Sequence, residues 1–276
     1  MRRILYLHPK RTLLATWSID GQRPCLSDYS EREPIASIQE WNSTDPVDTV
    51  VVSTDSWFVH GYPTPSFDDQ GARLEFELEQ ICGLRGDRTP QVDVEYRIAS
   101  AHDSQWTSIV CIDAQAVSVI RSTFGQHCRV ISDIHADIDV ALASTPARSH
   151  AWMLHGRRGD RLITAVIGEN HEPLYIGVQP VSSDFTIDVS VLSELALLRQ
   201  RFAVALNHVL LFGDHLTAAM ADSAKASLKQ AGVKAARLQP FRMVTSTLDA
   251  AASSRVIARA HVIAPIMANV LVETPF

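Results

Sequence analysis

Hydrophobic positions along this chain alternate between strand-like and helix-like spacing. Residues Val92 to Ala99 alternate apolar and polar side chains, which predicts a strand, and Trp106 to Ile112 predicts its partner in a hairpin. The run Thr49 to Ser53 centres on three valines, which is typical of a buried strand. Residues 67–82 instead repeat apolar side chains at helical spacing. The alternation of strands with helices along the chain predicts an α/β fold.

Each half of the chain opens with the same predicted succession of strand, turn and strand. In the first half, strands at Arg3 to His8 and Thr12 to Ile19 flank a turn at Pro9 to Arg11. In the second half, a strand at Ala151 to His155 and a tight turn at Gly156 to Gly159 lead into further strands. This repeat predicts a duplicated fold. The other predicted elements are strands at 56–62, 129–131, 161–168, 173–178 and 209–212, and helices at 114–124, 135–143, 188–205, 217–231 and 248–266.

A segment of small and helix-breaking residues, Ser144 to Ser149, separates the two halves. We therefore predict one domain over residues 1–147 and a second over residues 148–276. The chain of 276 residues is long enough for both domains to bury a core.

Composition and charge narrow the classes of function. Hydrophobic residues make up 46% of the chain and charged residues 20%, as in a globular protein. The formal net charge of -6 argues against nucleic acid as a partner, because nucleic-acid binding needs a basic surface. Since no apolar run is long enough for a signal peptide or a membrane span, we expect a cytoplasmic protein without direct membrane insertion. The cysteines form no CxxC pair and predict buried free thiols in a reducing compartment: Cys25, Cys82, Cys111 and Cys128.

The sequence lacks the motifs of three common enzyme classes and carries one acidic cluster. No G-x-S-x-G elbow, no P-loop and no G-x-G-x-x-G after a strand occurs, so serine hydrolases, P-loop NTPases and Rossmann dehydrogenases lose their usual support. Asp133 to Asp139 brings three carboxylates and one histidine together. In a helix we expect Asp133, His135 and Asp137 to point to different faces, so we predict no metal site there and interpret Asp133 as a helix N-cap.

The order of the predicted elements resembles the actin-like ATPase superfamily, and within it the PilM-like proteins of type IV pilus assembly and the cytoplasmic part of the type II secretion L protein. Leu74 to Ile81, followed by the hairpin within 92–112, resembles the small inserted subdomain of those proteins, and Val209 to Asp214 resembles their strand and glycine turn beside the nucleotide base. The resemblance covers nearly the whole chain in element order. It implies a duplicated actin-like (RNase H-like) two-lobed α/β fold, with an inserted α+β subdomain at about residues 65–112.

The chain departs from that superfamily at the places where active members bind ATP. Each half of an active member carries an acidic residue and a glycine-rich turn, whose N–H groups hold phosphates while the carboxylate orients Mg²⁺. The resemblance puts His8 and His155 at the acidic positions, and Pro9 removes an N–H donor from the first turn. We therefore expect no catalysis, no cofactor and no metal, with ATP bound without a magnesium site as the alternative.

The basic side chains of the two turns are the candidates for holding phosphates, since the resemblance places the turns across a cleft from each other. Two glycines complete the candidate set: one in the second turn, and one in the turn that resembles the superfamily's turn beside the nucleotide base. The alternative interpretation is that the charges are simply solvated. The candidate residues are Lys10, Arg11, Arg157, Arg158, Gly159 and Gly213.

Two aromatic segments, Asp55 to Tyr62 and Trp152 to Leu154, are compatible with a groove lined by hydrophobic anchors, with a place in the core as the alternative. The resemblance implies that such a groove receives a short peptide. The resemblance implies a non-catalytic cytoplasmic scaffold of a bacterial type IV pilus or type II secretion platform, peripheral to the inner membrane. Its implied partner is the short cytoplasmic peptide of a bitopic inner-membrane pilus or secretion protein, with the assembly ATPase as a second candidate. The alternatives are a nucleotide-binding actin-like ATPase or filament former, a divergent sugar-kinase-like enzyme and an unrelated α/β hydrolase.

Overall fold

The structure is a computed structural model of the chain, and its described residues fall into two compact units. Unit 1 consists of Met1–Trp57, Ala116–Pro146 and Leu238–Phe276, and unit 2 of Phe58–Gln115 and Ala147–Arg237. The predicted domains share one junction with these units, near residue 147. Most of the predicted boundary segment, 146–149, lies outside the described residues, and the division into lobes at 147/148 stays a prediction. The described residues are 1–20, 23–35, 38, 41, 46–64, 69–85, 90–99, 105–145, 150–181, 186–202, 205–214, 216–267 and 270.

Strands and helices alternate along the described residues, which confirms the predicted α/β class. The strands are β1 (Arg2–His8), β2 (Arg11–Asp20), β3 (Arg23–Arg32), β4 (Thr49–Val52), β5 (Trp57–Thr64), β6 (Pro90–Ala99), β7 (Gln105–Asp113), β8 (Arg129–Ser132), β9 (Trp152–Arg158), β10 (Arg161–Ile167), β11 (Pro173–Pro180), β12 (His208–Gly213), β13 (Lys234–Arg237) and β14 (Thr245–Ser246). The helices are α1 (Gln70–Arg85), α2 (Ala114–Phe124), α3 (Asp133–Ser144), α4 (Ile187–Phe202), α5 (Ala218–Gln230), α6 (Ala250–Ala258) and α7 (Ala260–Ile263).

Unit 1 is built on a mixed sheet. Among the described residues the strand order is β14-β3-β2-β1-β4-β8, with β1, β2 and β3 antiparallel and β4 and β8 added in parallel. All four residues of β4 are buried, as its valine-rich sequence predicts for a strand inside a parallel arrangement. α3 follows β8 and buries most of its residues, so it belongs to the core of this unit.

Unit 2 contains a second mixed sheet of the order β11-β10-β9-β12-β13. Its antiparallel strands are β9, β10 and β11, and β12 and β13 join in parallel. The helices α4 and α5 cover the sheet with buried side chains such as Val191, Leu195 and Leu228. This order and these directions repeat the β3-β2-β1-β4-β8 part of unit 1. The duplicated two-lobed form that the repeat suggests stays a prediction.

The predicted hairpin and the helix before it belong to unit 2. β6 and β7 pair antiparallel over the predicted residues, and β5 adds to them in a sheet of the order β5-β7-β6 among the described strands. α1 lies on this sheet through Leu74, Leu78 and Ile81, which pack in one hydrophobic cluster with Phe58 of β5 and Ile109 of β7. The sheet therefore includes β5, which lies before the predicted bounds of 65–112, and the inserted α+β subdomain itself stays a prediction.

Two predicted elements differ from the structure. The predicted turn at Gly156 to Gly159 is wrong for its first three residues, which continue β9, and the chain turns at Gly159 and Asp160. The predicted helix at 248–266 is interrupted at Arg259, where α6 ends, and after α7 the chain forms a 3-10 helix, Ala264–Met267. That last segment contains Pro265, which lacks the N–H donor that an α-helix needs.

Candidate functional site

The first candidate turn, in unit 1, connects β1 to β2 through Pro9 and Lys10. His8 and Arg11 pair across its base, and the backbone N–H of Lys10 donates to Nδ1 of His8 at 3.2 Å. The Arg11 guanidinium lies 3.2 Å from the carboxylate of Glu31. Because Pro9 has no N–H and the N–H of Lys10 is already engaged, these two turn residues offer poor donors to a phosphate. Lys10 itself is exposed to solvent.

In the second candidate turn, in unit 2, two residues bind the carboxylate of Asp214, which was not among the residues predicted from the sequence. Asp214 follows β12, which lies parallel to β9. One carboxylate oxygen accepts from the Arg158 guanidinium at 3.0 Å, and the other accepts from the backbone N–H of Gly159 at 2.9 Å. The Arg158 side chain is 1% exposed and that of Asp214 is 5% exposed. Two of the six predicted phosphate-holding residues are thus occupied by a carboxylate of the same chain.

Arg157 and Gly213 lie in the same part of unit 2. The Nε atom of Arg157 donates to the carbonyl oxygen of Gly159 at 2.7 Å, so this side chain folds back onto the turn. Gly213 has a φ of +111°, and a Cβ atom there would collide with the carbonyl oxygen of Arg157. Glycine is therefore required at position 213 for the close approach of β12 to β9. The structure brings together Arg157, Arg158, Gly159 and Gly213; that Lys10 and Arg11 face them across a cleft stays a prediction.

The two histidines that resemble replaced acidic residues are not at equivalent positions. His8 is the last residue of β1 and pairs with Arg11 across the turn. In unit 2 the residue at that place is Arg158, which pairs with Arg161, while His155 lies three residues earlier and pairs with Thr164. The interpretation of His8 and His155 as matching positions is therefore wrong. The sequence alone does not show where the second turn begins, and this explains the error.

His155 lies in a buried polar cluster between β9, β10 and α4. Its Nδ1 is 2.9 Å from the hydroxyl of Thr164 and its Nε2 is 2.8 Å from the hydroxyl of Ser190. Burial lowers the pKa of His155 to about 3, so the imidazole is neutral. Glu194 lies one helical turn after Ser190, and burial raises its pKa. Its carboxylate accepts from the Gln179 side-chain amide at 2.9 Å. These groups satisfy each other inside the unit.

The acidic cluster of unit 1 has a structural arrangement that differs from the predicted one. Ser132, not Asp133, caps α3, because its hydroxyl accepts from the backbone N–H of His135 at 3.3 Å. The Asp133 carboxylate accepts from the Tyr6 hydroxyl and the Trp57 Nε1, each at 2.9 Å. Asp133 and Asp137 are one helical turn apart and share a face of α3, so the prediction of different faces is wrong for these two residues; both are fully buried. Within the described part of the chain, no group of three or more His, Cys, Asp or Glu is placed to hold a metal ion.

Three aromatic side chains of the two segments lie in the core, while a fourth, Phe58, is half-buried. Trp57 is 3% exposed, Tyr62 4% and Trp152 0%. These side chains therefore cannot be the anchors of an open peptide groove, and the alternative interpretation is confirmed for all three.

The cysteines are free, as predicted, with Cys25, Cys111 and Cys128 buried and Cys82 half-buried. Among the described residues, none of the helices is long and apolar enough to cross a membrane.

Comparison with known proteins identifies the fold. No family model and no curated protein sequence matches the chain. A structure of the PilM-PilN type IV pilus biogenesis complex matches with a TM-score of 0.62 and 14% identity, covering 99% of this chain and 98% of the other. A protein from Bacteroides thetaiotaomicron with an actin-like ATPase fold and unknown function matches with a TM-score of 0.54 and 12% identity, covering 87% and 91% of the two chains. The chain thus has the actin-like ATPase fold, as its element order predicted.

Proposed function

We propose that this chain is a non-catalytic cytoplasmic scaffold of a bacterial type IV pilus or type II secretion platform, which binds a short cytoplasmic peptide of a bitopic inner-membrane protein. The fold supports the class of machine, since one structure with this fold is a PilM-PilN complex of pilus biogenesis. The observation that carries the non-catalytic part is the contact of Asp214 with Arg158 and Gly159.

The physical argument concerns charge at the phosphate-binding turn. A phosphate needs backbone N–H groups and cations that are not already paired. In unit 2 the Gly159 N–H and the Arg158 guanidinium both face a carboxylate, which repels a phosphate and already fills their hydrogen-bonding capacity on that side. In unit 1, Pro9 lacks an N–H altogether. Both turns are therefore poorly suited to holding ATP in a reactive position.

The test measures partner binding and ATP turnover on the purified full chain. Fluorescently labelled peptides with the cytoplasmic tails of bitopic membrane proteins encoded beside this gene are titrated with the chain, and anisotropy is recorded. We expect saturable binding of one tail at micromolar concentration and none of its scrambled version. In parallel, a coupled assay follows ADP release with and without Mg²⁺, and we expect no rate above the buffer blank.

The competing function is a nucleotide-dependent actin-like ATPase or filament former. It predicts an ATPase rate that falls when the turns are altered in the variants Lys10→Ala and Arg157→Ala, and light scattering that rises on addition of ATP. Either result would replace the scaffold proposal. Absence of binding by every tail peptide, with no ATPase rate, would contradict the scaffold without favouring the enzyme.

A further inference from the structure

The five-stranded sheet of unit 2 ends in an open edge strand. Among the described strands, β13 pairs only with β12, and no strand lies on its other side. Its residues alternate between exposed and half-buried, which is the pattern of a strand at the surface of a protein. An open edge of this kind carries main-chain N–H and C=O groups to which a further strand can bind.

The direction of the main-chain groups in β13 follows from its bonds to β12. The backbone N–H of Lys234 donates to the carbonyl oxygen of Asn207 at 3.0 Å, and Lys234 lies opposite His208 in the parallel register. Since successive residues of a strand turn their main-chain groups to opposite sides, the N–H and C=O groups of Ala235 and Arg237 face away from β12. These are the groups that an added strand would bind.

The same part of the chain is basic, whereas the chain as a whole is acidic. Residues 223–248 contain five Lys and Arg residues and no Asp or Glu, while the full chain has a formal net charge of -6. Lys225 pairs with Asp222 at 3.0 Å. In the described part of the chain, by contrast, no carboxylate lies within ion-pair distance of Lys234 or Arg237. The positive charge along the open edge is therefore uncompensated.

We propose that β13 binds an acidic, extended segment of a partner protein, which joins the sheet of unit 2 as a further strand. The open main-chain groups select an extended backbone, and the charges select carboxylates. Lys234 and Arg237 are three positions apart in the strand, so their side chains point to opposite faces of the sheet. The matching segment therefore carries two acidic residues three positions apart.

A second copy of the chain and a lipid surface both fit this edge poorly. Pairing of two β13 strands would bring Lys234 and Arg237 of both copies together, and like charges on adjacent strands are destabilising. An anionic lipid surface attracts the charges but offers no strand to the open N–H and C=O groups. The main-chain groups and the charges together therefore favour the acidic peptide segment.

The experiment titrates a fluorescein-labelled probe with the full chain and records anisotropy. The probe is an acetylated peptide of threonine and valine that carries two glutamates three positions apart. We expect saturable binding, and about fivefold weaker binding by Lys234→Glu, because an exposed ion pair becomes a repulsion. The matched control is Lys225→Glu, which changes the net charge equally but lies in α5. It should bind the probe within about twofold of wild type.

A second probe separates strand addition from simple charge attraction. It has the same side chains, but its backbone nitrogens are methylated, so it cannot donate hydrogen bonds to a strand. We expect this probe not to bind. We also expect the unmethylated probe to slow hydrogen exchange at the backbone N–H groups of Ala235 and Arg237, which it covers.

Equal binding of the two probes would overturn the proposal, since charge alone would then explain the affinity. No binding of either probe would also overturn it, and the charges would then serve to keep the edge from pairing. Vesicles of phosphatidylglycerol and phosphatidylcholine are titrated as a third ligand. Vesicle binding that Lys234→Glu abolishes, without binding of the unmethylated probe, would overturn the proposal in favour of a membrane surface.

This site does not depend on the function proposed above. The probes contain no tail of a membrane protein, and the tail peptides are titrated in a separate measurement. Binding of a tail without binding of the acidic probe would contradict only the edge-strand site. Binding of the probe without binding of any tail would contradict only the scaffold function.

Discussion

Gly213 is a residue at which one methyl group should be decisive. Its φ of +111° disfavours any side chain, and a Cβ atom would collide with the Arg157 carbonyl. We expect Gly213→Ala to lower the free energy of unfolding by about 3 kcal/mol, measured by urea denaturation. Gly83→Ala is the control, because nothing lies within 4 Å of the Cβ position in α1 and a helical glycine gains from the change. A similar loss in both variants would contradict the steric argument.

His155 should make the stability of the chain depend on pH. Its pKa is about 3 in the folded state against about 6.5 in an unfolded chain, so protons bind preferentially to the unfolded state as the pH falls. This contribution is complete above pH 6.5 and is lost towards pH 3. Between pH 6.5 and pH 5 the free energy of unfolding falls by about 2 kcal/mol for this reason.

The variant His155→Gln isolates that contribution. We expect it to be less stable than wild type at pH 7, because the bonds to Thr164 and Ser190 are disturbed, and to lose less stability between pH 6.5 and pH 5. Urea denaturation at both pH values gives the difference. The exposed His127, changed to Gln, should leave the wild-type dependence intact. Parallel pH dependence in wild type and His155→Gln would show that His155 is not responsible.

At this scale the sequence indicates residue types better than residue roles. Pro9 and Gly213 are visible because proline and glycine have conformational consequences wherever they occur. The role of Asp214 is not visible, because its partners Arg158 and Gly159 lie more than 50 positions away and only the pairing of β9 with β12 brings them together. The Gly-Asp turn after a buried strand was the available signal, and it was interpreted only through its glycine.

Helix α3 offers a test at the scale of one element. The Ser132 hydroxyl caps its first turn, and Ser132 is buried together with most residues of the helix after it. We expect Ser132→Ala to cost about 1 kcal/mol of folding free energy, the usual value of a lost N-cap. Ser122→Ala in α2 is the control, since that residue is exposed and its hydroxyl donates to the carbonyl of Val119 in its own helix. Equal effects in the two variants would argue against the cap.

Elements with strong local patterns were predicted closely. The hairpin of β6 and β7 follows its alternating sequence, and α2 has the predicted bounds. The prediction failed where tertiary contacts override local pattern. Gly156 resembles a turn residue, yet it continues β9 because its missing side chain lets β12 approach through Phe212. Arg259 interrupts a helical pattern at a point where its guanidinium pairs with Glu31, 228 residues away.

At the scale of the whole molecule, each unit draws on distant parts of the chain. Unit 1 closes with C-terminal residues, since the Trp17 Nε1 donates to the Ile266 carbonyl at 2.8 Å and Ile266 is fully buried. In unit 2, Ile98 from the hairpin packs in the same core as Val191 of α4. The sequence repeat suggests two halves because it reflects the order of the elements along the chain. The compact units depend instead on which distant segments join each sheet.

This interleaving predicts that residues 1–147 and 148–276 do not fold separately. The first fragment lacks the C-terminal segment that covers Trp17, and it carries the hairpin without its core partners in α4. We expect each fragment alone to aggregate or to show no cooperative unfolding by circular dichroism. The two fragments expressed together should recover a soluble pair with the unfolding transition of the intact chain, because a break near residue 147 falls at a junction of the units. Cooperative unfolding of either fragment alone would show that the halves, not the interleaved units, are the folding units.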